Sequence, residues 1–181
     1  MKRILLFTLF SAIVNGAVSS SMSIPRNASH RFLTDGIFDG GKTVRANLEG
    51  LRFSKHSDQG FERWVFDFSD ATTKTLGSIA PQFQLRYKKA IKLESDDGTL
   101  NTVEPARIII SLKGISRNNV SRSNLVRLAK KSSLVKEIVI YPPIEDGDLA
   151  IEMLLNDSFG FYPHQPLVNE GRLVIDLSRH T

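Results

Sequence analysis

Carboxylates have the best claim to chemistry in this chain. Asp67 and Asp176 occupy the same place in two echoing segments, Arg63-Trp64-Val65-Phe66-Asp67-Phe68-Ser69 and Arg172-Leu173-Val174-Ile175-Asp176-Leu177-Ser178. Two acids about 5 Å apart are what a retaining glycosidase uses, one as proton donor and one as nucleophile. The echoed setting argues for structure instead. If the segments pair antiparallel with Val65 opposite Val174, Arg63 faces Asp176 and Asp67 faces Arg172, giving two cross-strand ion pairs worth roughly 0.2–1 kcal/mol each. Arg63, Asp67, Arg172 and Asp176 are therefore expected to hold the fold, and no catalytic residue is assigned.

Other reactive patterns are weaker. His30, His56, His164 and His180 are far apart, and none lies in a metal-ligand spacing such as His-Glu-x-x-His. Ser133-Leu134-Val135-Lys136 matches the Ser-x-x-Lys of penicillin-recognising enzymes, but the companion Ser-Asp-Asn and Lys-Thr-Gly elements are missing. The acidic stretches 94–97 and 145–148 lack the alternation of a calcium loop and read as solvated turns. No metal and no cofactor is expected. Binding has better candidates: the cations Arg86, Lys88 and Lys92, the pair Lys55-His56, and the aromatic stretch with Phe159, Phe161 and Tyr162. Aromatic faces can stack on sugar rings, and cations can meet carboxylates.

The elements that must position these residues are mostly strands. Strict alternation over both echoing segments puts Trp64, Phe66 and Phe68 on one side of a strand, and Leu173, Ile175 and Leu177 on one side of another. Val44, Ala46 and Leu48 alternate, and Leu51 and Phe53 resume after Gly50, which predicts one strand with a bulge at that glycine. Phe83, Leu85 and Tyr87 point inward from a strand that sends Arg86 and Lys88 out. Residues 91–94 lead to the tight turn Ser95-Asp96-Asp97-Gly98. Residues 107–113 form a strand whose Ile109 faces away from Ile108 and Ile110, and 134–141 and 149–155 form a hairpin. Between Ser121 and Lys131 the period becomes helical, with Leu125, Leu128 and Ala129 on one face and Ser123 as N-cap. Its Arg127, Lys130 and Lys131 are the densest cationic cluster beyond the N-terminus and read as a solvated helix face. Residues 159–166 read as an aromatic loop. Seven or eight short strands and one helix predict an all-β, mainly antiparallel sandwich or barrel.

The N-terminus has the form of an export signal: Lys2 and Arg3, a mostly apolar run over 4–14, and Ala17-Val18-Ser19 as cleavage site. The expected organisation is a signal peptide over 1–19, a flexible leader over 20–42 and one domain over 43–181. The apolar run is short of the roughly 20 residues of a spanning helix, so no stable membrane span is expected after removal of the signal. The absence of cysteine excludes disulfides, thiolate zinc sites and a lipidated cysteine. Without Lys2 and Arg3 the 24 cations fall to 22 against 19 anions, or +3, too mild for the basic footprint of a nucleic-acid binder.

Residues 60–68, Gly-Phe-Glu-Arg-Trp-Val-Phe-Asp-Phe, and 171–177, Gly-Arg-Leu-Val-Ile-Asp-Leu, resemble the signature runs of the AMIN and AMIN-like domains of bacterial envelope proteins. The segment 134–138 looks like a late strand of the same family, so the likeness spans about 43–179. It departs from the pattern at Asn169-Glu170-Gly171, where a proline usually precedes the Arg-Leu-Val-Ile-Asp run. The resemblance implies a β-sandwich of two small, similar sheets, with the echoing strands at equivalent positions in different sheets. It also implies a periplasmic or secreted module, without catalysis, that binds peptidoglycan or an envelope protein complex. A carboxylate-dependent cell-wall hydrolase and an accessory subunit of an export or pilus assembly are the other classes open to such a chain.

Overall fold

A computed structural model describes residues 36–77, 80–142, 147–156, 159–164 and 171–179, with the backbone alone for 159–164 and 179. The signal-like segment and the leader up to residue 35 lie outside the described residues.

Alternating burial, the signature of strands wet on one side, organises the described chain. Ala46–His56 (β2), Phe61–Asp70 (β3) and Arg172–Arg179 (β12) form the middle of one sheet, completed by Phe159–His164 (β11) and Ile115–Asn118 (β8) in the order β11-β12-β3-β2-β8. We call it sheet I. Sheet II has the order β1-β4-β7-β10-β9, from Ile37–Gly40 (β1), Phe83–Lys88 (β4), Arg107–Leu112 (β7), Leu149–Leu155 (β10) and Val135–Tyr141 (β9). Ile91–Glu94 (β5) and Leu100–Glu104 (β6) make a separate two-stranded arm, and Arg122–Ala129 is the helix α1. Among the described strands all pairings are antiparallel except β2 with β8. The fold is therefore all-β and mainly antiparallel, with one short helix among the described residues.

Both sheets turn their apolar faces to one shared core. Trp64, Phe66, Phe68, Leu173, Ile175 and Leu177 of sheet I are fully enclosed, as are Leu85, Ile108, Ile110, Leu112, Ile151 and Met153 of sheet II, and all belong to one cluster. Burying side chains of this size stabilises by roughly 1.5–3 kcal/mol each, and without cysteine this core is what holds the sheets together.

The echoing strands pair as the register argument requires. Val174 lies opposite Val65, Arg63 opposite Asp176, and Arg172 opposite Asp67. They are neighbours in one sheet, so this chain does not use the different-sheet placement that the resemblance implied. The predicted bulge is also present, as a register shift between Leu48 and Gly50. Gly171 is held where its carbonyl accepts from Phe68 N at 2.8 Å, and a Cβ there would stand 2.9 Å from Gly77 Cα. That approach explains why this position is glycine, and a proline ring would meet the same obstruction.

Several expectations need correction. The end of the supposed flexible leader is strand: β1 pairs with β4, and Phe38 is buried and stacked on Phe83 at 6.0 Å. The aromatic stretch is a strand over 159–164, paired with β12. Pro163 is tolerated because β11 is an edge, where one missing N–H removes no central ladder bond. The helix is capped by Ser121, whose hydroxyl accepts from Asn124 N at 3.2 Å, and not by Ser123. Twelve strands are present among the described residues, more than the seven or eight expected.

Candidate functional site

The two acids singled out from sequence are separated and engaged. Asp67 lies opposite Arg172 and Asp176 four residues further along β12, which at strand rise is about 13 Å. Glycosidase pairs stand roughly 5 Å or 6.5–9.5 Å apart, so these carboxylates cannot flank one glycosidic bond. Asp176 instead takes two hydrogen bonds from Arg63, Nε to Oδ1 and Nη2 to Oδ2, each 2.8 Å. Its side chain is only 6% exposed. Those hydrogen bonds raise the Arg63 pKa above its ordinary value, with the Asp176 charge adding to them against the cost of burial.

Asp67 has a partner that the sequence did not suggest. Arg52 donates from Nε at 2.5 Å and Nη2 at 2.6 Å, while Arg172, the expected partner, stands off at 3.8 Å. The reason lies in the bulge. An extra residue near Glu49 changes the β2 register so that Gly50 lies opposite Asp67, leaving Arg52 one step along the same face.

Glu62 and Ser133 form a second polar cluster at the end of the core. Glu62 is buried and accepts from Ser133 N and Ser133 Oγ, both at 2.8 Å, and from the Ser132 hydroxyl, with Lys55 Nζ at 3.9 Å. These bonds tie sheet I to the loop between α1 and β9. The Ser133 hydroxyl is thereby turned to a carboxylate, and no hydrogen bond joins it to Lys136 among the described residues.

The predicted binding residues fall on three sheets. Lys55 and His56 end β2 in sheet I, Arg86 and Lys88 are exposed on the outer side of β4 in sheet II, and Lys92 is on the exposed arm. Phe159, Phe161 and Tyr162 are on β11 in sheet I, and their side chains lie outside the described residues. Lys55 joins the Glu62 cluster, and His56 a group of its own: its ring stacks on Phe61 at 4.5 Å and 20°, and its Nε2 lies 3.1 Å from Ser54 Oγ. The Arg63 guanidinium lies 5.2 Å from the centre of the Phe61 ring. Sheet I thus carries an outward strip that runs from the half-buried rings of His56 and Phe61 through half-buried Arg63 to exposed Arg172. Gly160 of β11 is in register with Ser178, and Ser178 with Phe61, so β11 borders this strip.

A recess that the sequence did not reveal runs between α1 and β9, with a volume near 680 Å³. Its walls include Leu125, Val126 and Ala129 from the helix and Ile138, Val139 and Ile140 from the strand, with Arg122, Lys130, Lys136 and Glu137 at its rim. Of the helix cations that the sequence singled out, Lys130 lines the recess, whereas Arg127 and Lys131 do not. The recess itself was not legible, because only topology places β9 at the outer edge of sheet II. No group of three metal-ligating side chains occurs among the described residues, and no described helix is long and apolar enough to cross a membrane. No protein-family model matches this chain, and no curated protein matches it.

Proposed function

We propose that this chain is an exported, non-catalytic module of the bacterial cell envelope whose ligand is peptidoglycan. The observation that favours binding over catalysis is the engagement of Asp67 and Asp176, each held by arginine and too far apart to share a glycosidic bond. The envelope setting draws on the export-like N-terminus and on the AMIN-like runs at 60–68 and 171–177.

The outward strip of sheet I is the surface we assign to the ligand. The His56 ring, backed by Phe61, gives a face on which a sugar ring can stack. Stem-peptide carboxylates would meet Arg172, whose side chain is 49% exposed and only distantly paired with Asp67. The test is co-sedimentation with purified sacculi. The chain is expected in the pellet, and His56→Ala with Phe61→Ala should move it to the supernatant while its thermal unfolding stays cooperative. A chain that never pellets, or a variant that pellets as well as the parent, would overturn the assignment.

A further inference from the structure

Edge strands expose unpaired N–H and C=O groups that can pair with another chain, so proteins cover or shorten them. In sheet II, β1 has four residues, whereas β9 has seven and pairs on one side only, with β10. Among the described residues nothing hydrogen-bonds to the other side of β9 over 136–141.

The recess beside α1 follows that free edge. Residues 136–140 are consecutive, and all five line it. Alternate residues would line a face of the sheet, so consecutive ones place the recess along the backbone edge. The floor is apolar, from Val126, Ala129, Ile138 and Ile140, and Val126 is 48% exposed. The rim carries Arg122, Lys130 and Lys136 against Glu137, and none of the four forms an ion pair among the described residues.

We propose that this groove binds an extended acidic peptide of a partner protein, added antiparallel or parallel as a strand to β9. Main-chain hydrogen bonds to β9 would supply affinity, alternate apolar side chains would enter the floor, and acidic ones would meet the cationic rim. A volume near 680 Å³ lies within the range of formed ligand sites, roughly 300–1,000 Å³. Charge selects this occupant over two others. The chain's own segment 20–35 carries Arg26 and Arg31 against Asp35, and a second copy would bring the same cations to the same rim. The inference concerns a surface separate from the sugar-facing strip, so sacculus binding and peptide binding can fail independently.

The probe is a fluorescent seven-residue peptide alternating valine with glutamate or aspartate, titrated into the purified full-length chain. Saturable binding that weakens with added salt is expected, together with slowed hydrogen exchange at alternate amides of β9. Methylating the peptide nitrogens that would face β9 should abolish binding, and a lysine-for-acid analogue should not bind. Lys130→Glu with Lys136→Glu should weaken binding by about tenfold or more, whereas Lys89→Glu with Lys113→Glu should not. The methylated peptide needs no altered protein, so the test survives a variant that misfolds. The proposal is overturned by absence of binding, by binding indifferent to backbone methylation, or by β9 amides already protected in the free chain, the sign of an edge covered by its own leader or a second copy.

Discussion

Sheet I and the groove at the edge of sheet II use charge in opposite ways. On sheet I, Arg63 and Arg52 each grip an aspartate in the geometry of a fork, and Asp176 is almost fully enclosed. Along the groove, Arg122, Lys130 and Lys136 stand around apolar walls with no such partner among the described residues. Removing one member of an enclosed pair leaves a buried group unsatisfied, whereas removing an unpaired surface cation leaves nothing behind. Charges of the first kind fix strand register. Charges of the second kind are free to select a ligand.

That contrast sets an order of effects. Asp176→Ala should lower the unfolding free energy by about 2–3 kcal/mol in urea titration, because Arg63 loses both hydrogen bonds from a half-buried site. Replacing Arg63 and Asp176 together by leucine should restore most of that loss, and a double replacement as damaging as the single would show that the pair itself is not the cause. Asp67→Ala should cost less, about 1 kcal/mol or under, since the Arg52 side chain is 59% exposed and screened by water. Lys130→Ala with Lys136→Ala should change stability by no more than about 0.5 kcal/mol while weakening the acidic peptide, which separates the two kinds of charge within one chain.

The smallest effect is in the pH dependence. The Ser69 hydroxyl and then Asn119 donate to Glu49 and hold its pKa below the usual carboxylate range. A lowered folded pKa contributes stability that is complete above the unfolded value and is lost as pH falls through the folded one. Glu49→Gln should therefore flatten part of the acid limb of the stability profile below about pH 4.5 and leave the neutral limb in shape. An unchanged acid limb would remove Glu49 from the account.

Much of the framework was legible because pattern and pairing agree. The echo of Arg and Asp at equivalent positions permits one antiparallel register with both charges matched, and β3 and β12 adopt it. Gly50 marked the bulge, and the change of period marked α1. What escaped was short or polar. Leu100–Glu104 and Ile115–Asn118 have little alternation, and Ile37–Gly40 has one buried apolar side chain beside glycine. The last two take their pairing from strands distant in sequence, β2 and β4, which a local reading cannot see. The Arg52 to Asp67 bond depended on the bulge register, and the groove depended on which strand ends a sheet. Lys130, one of the helix cations that read as solvated surface, became part of the rim of a recess only when β9 was found beside the helix.

Mass spectrometry of the soluble fraction, after incubating the chain with purified sacculi, tests the central claim most directly. The chain should leave the solution with the sacculi, and no muropeptide should enter it. Muropeptides that appear with the parent chain and disappear with Asp67→Asn would contradict a module that binds without reacting.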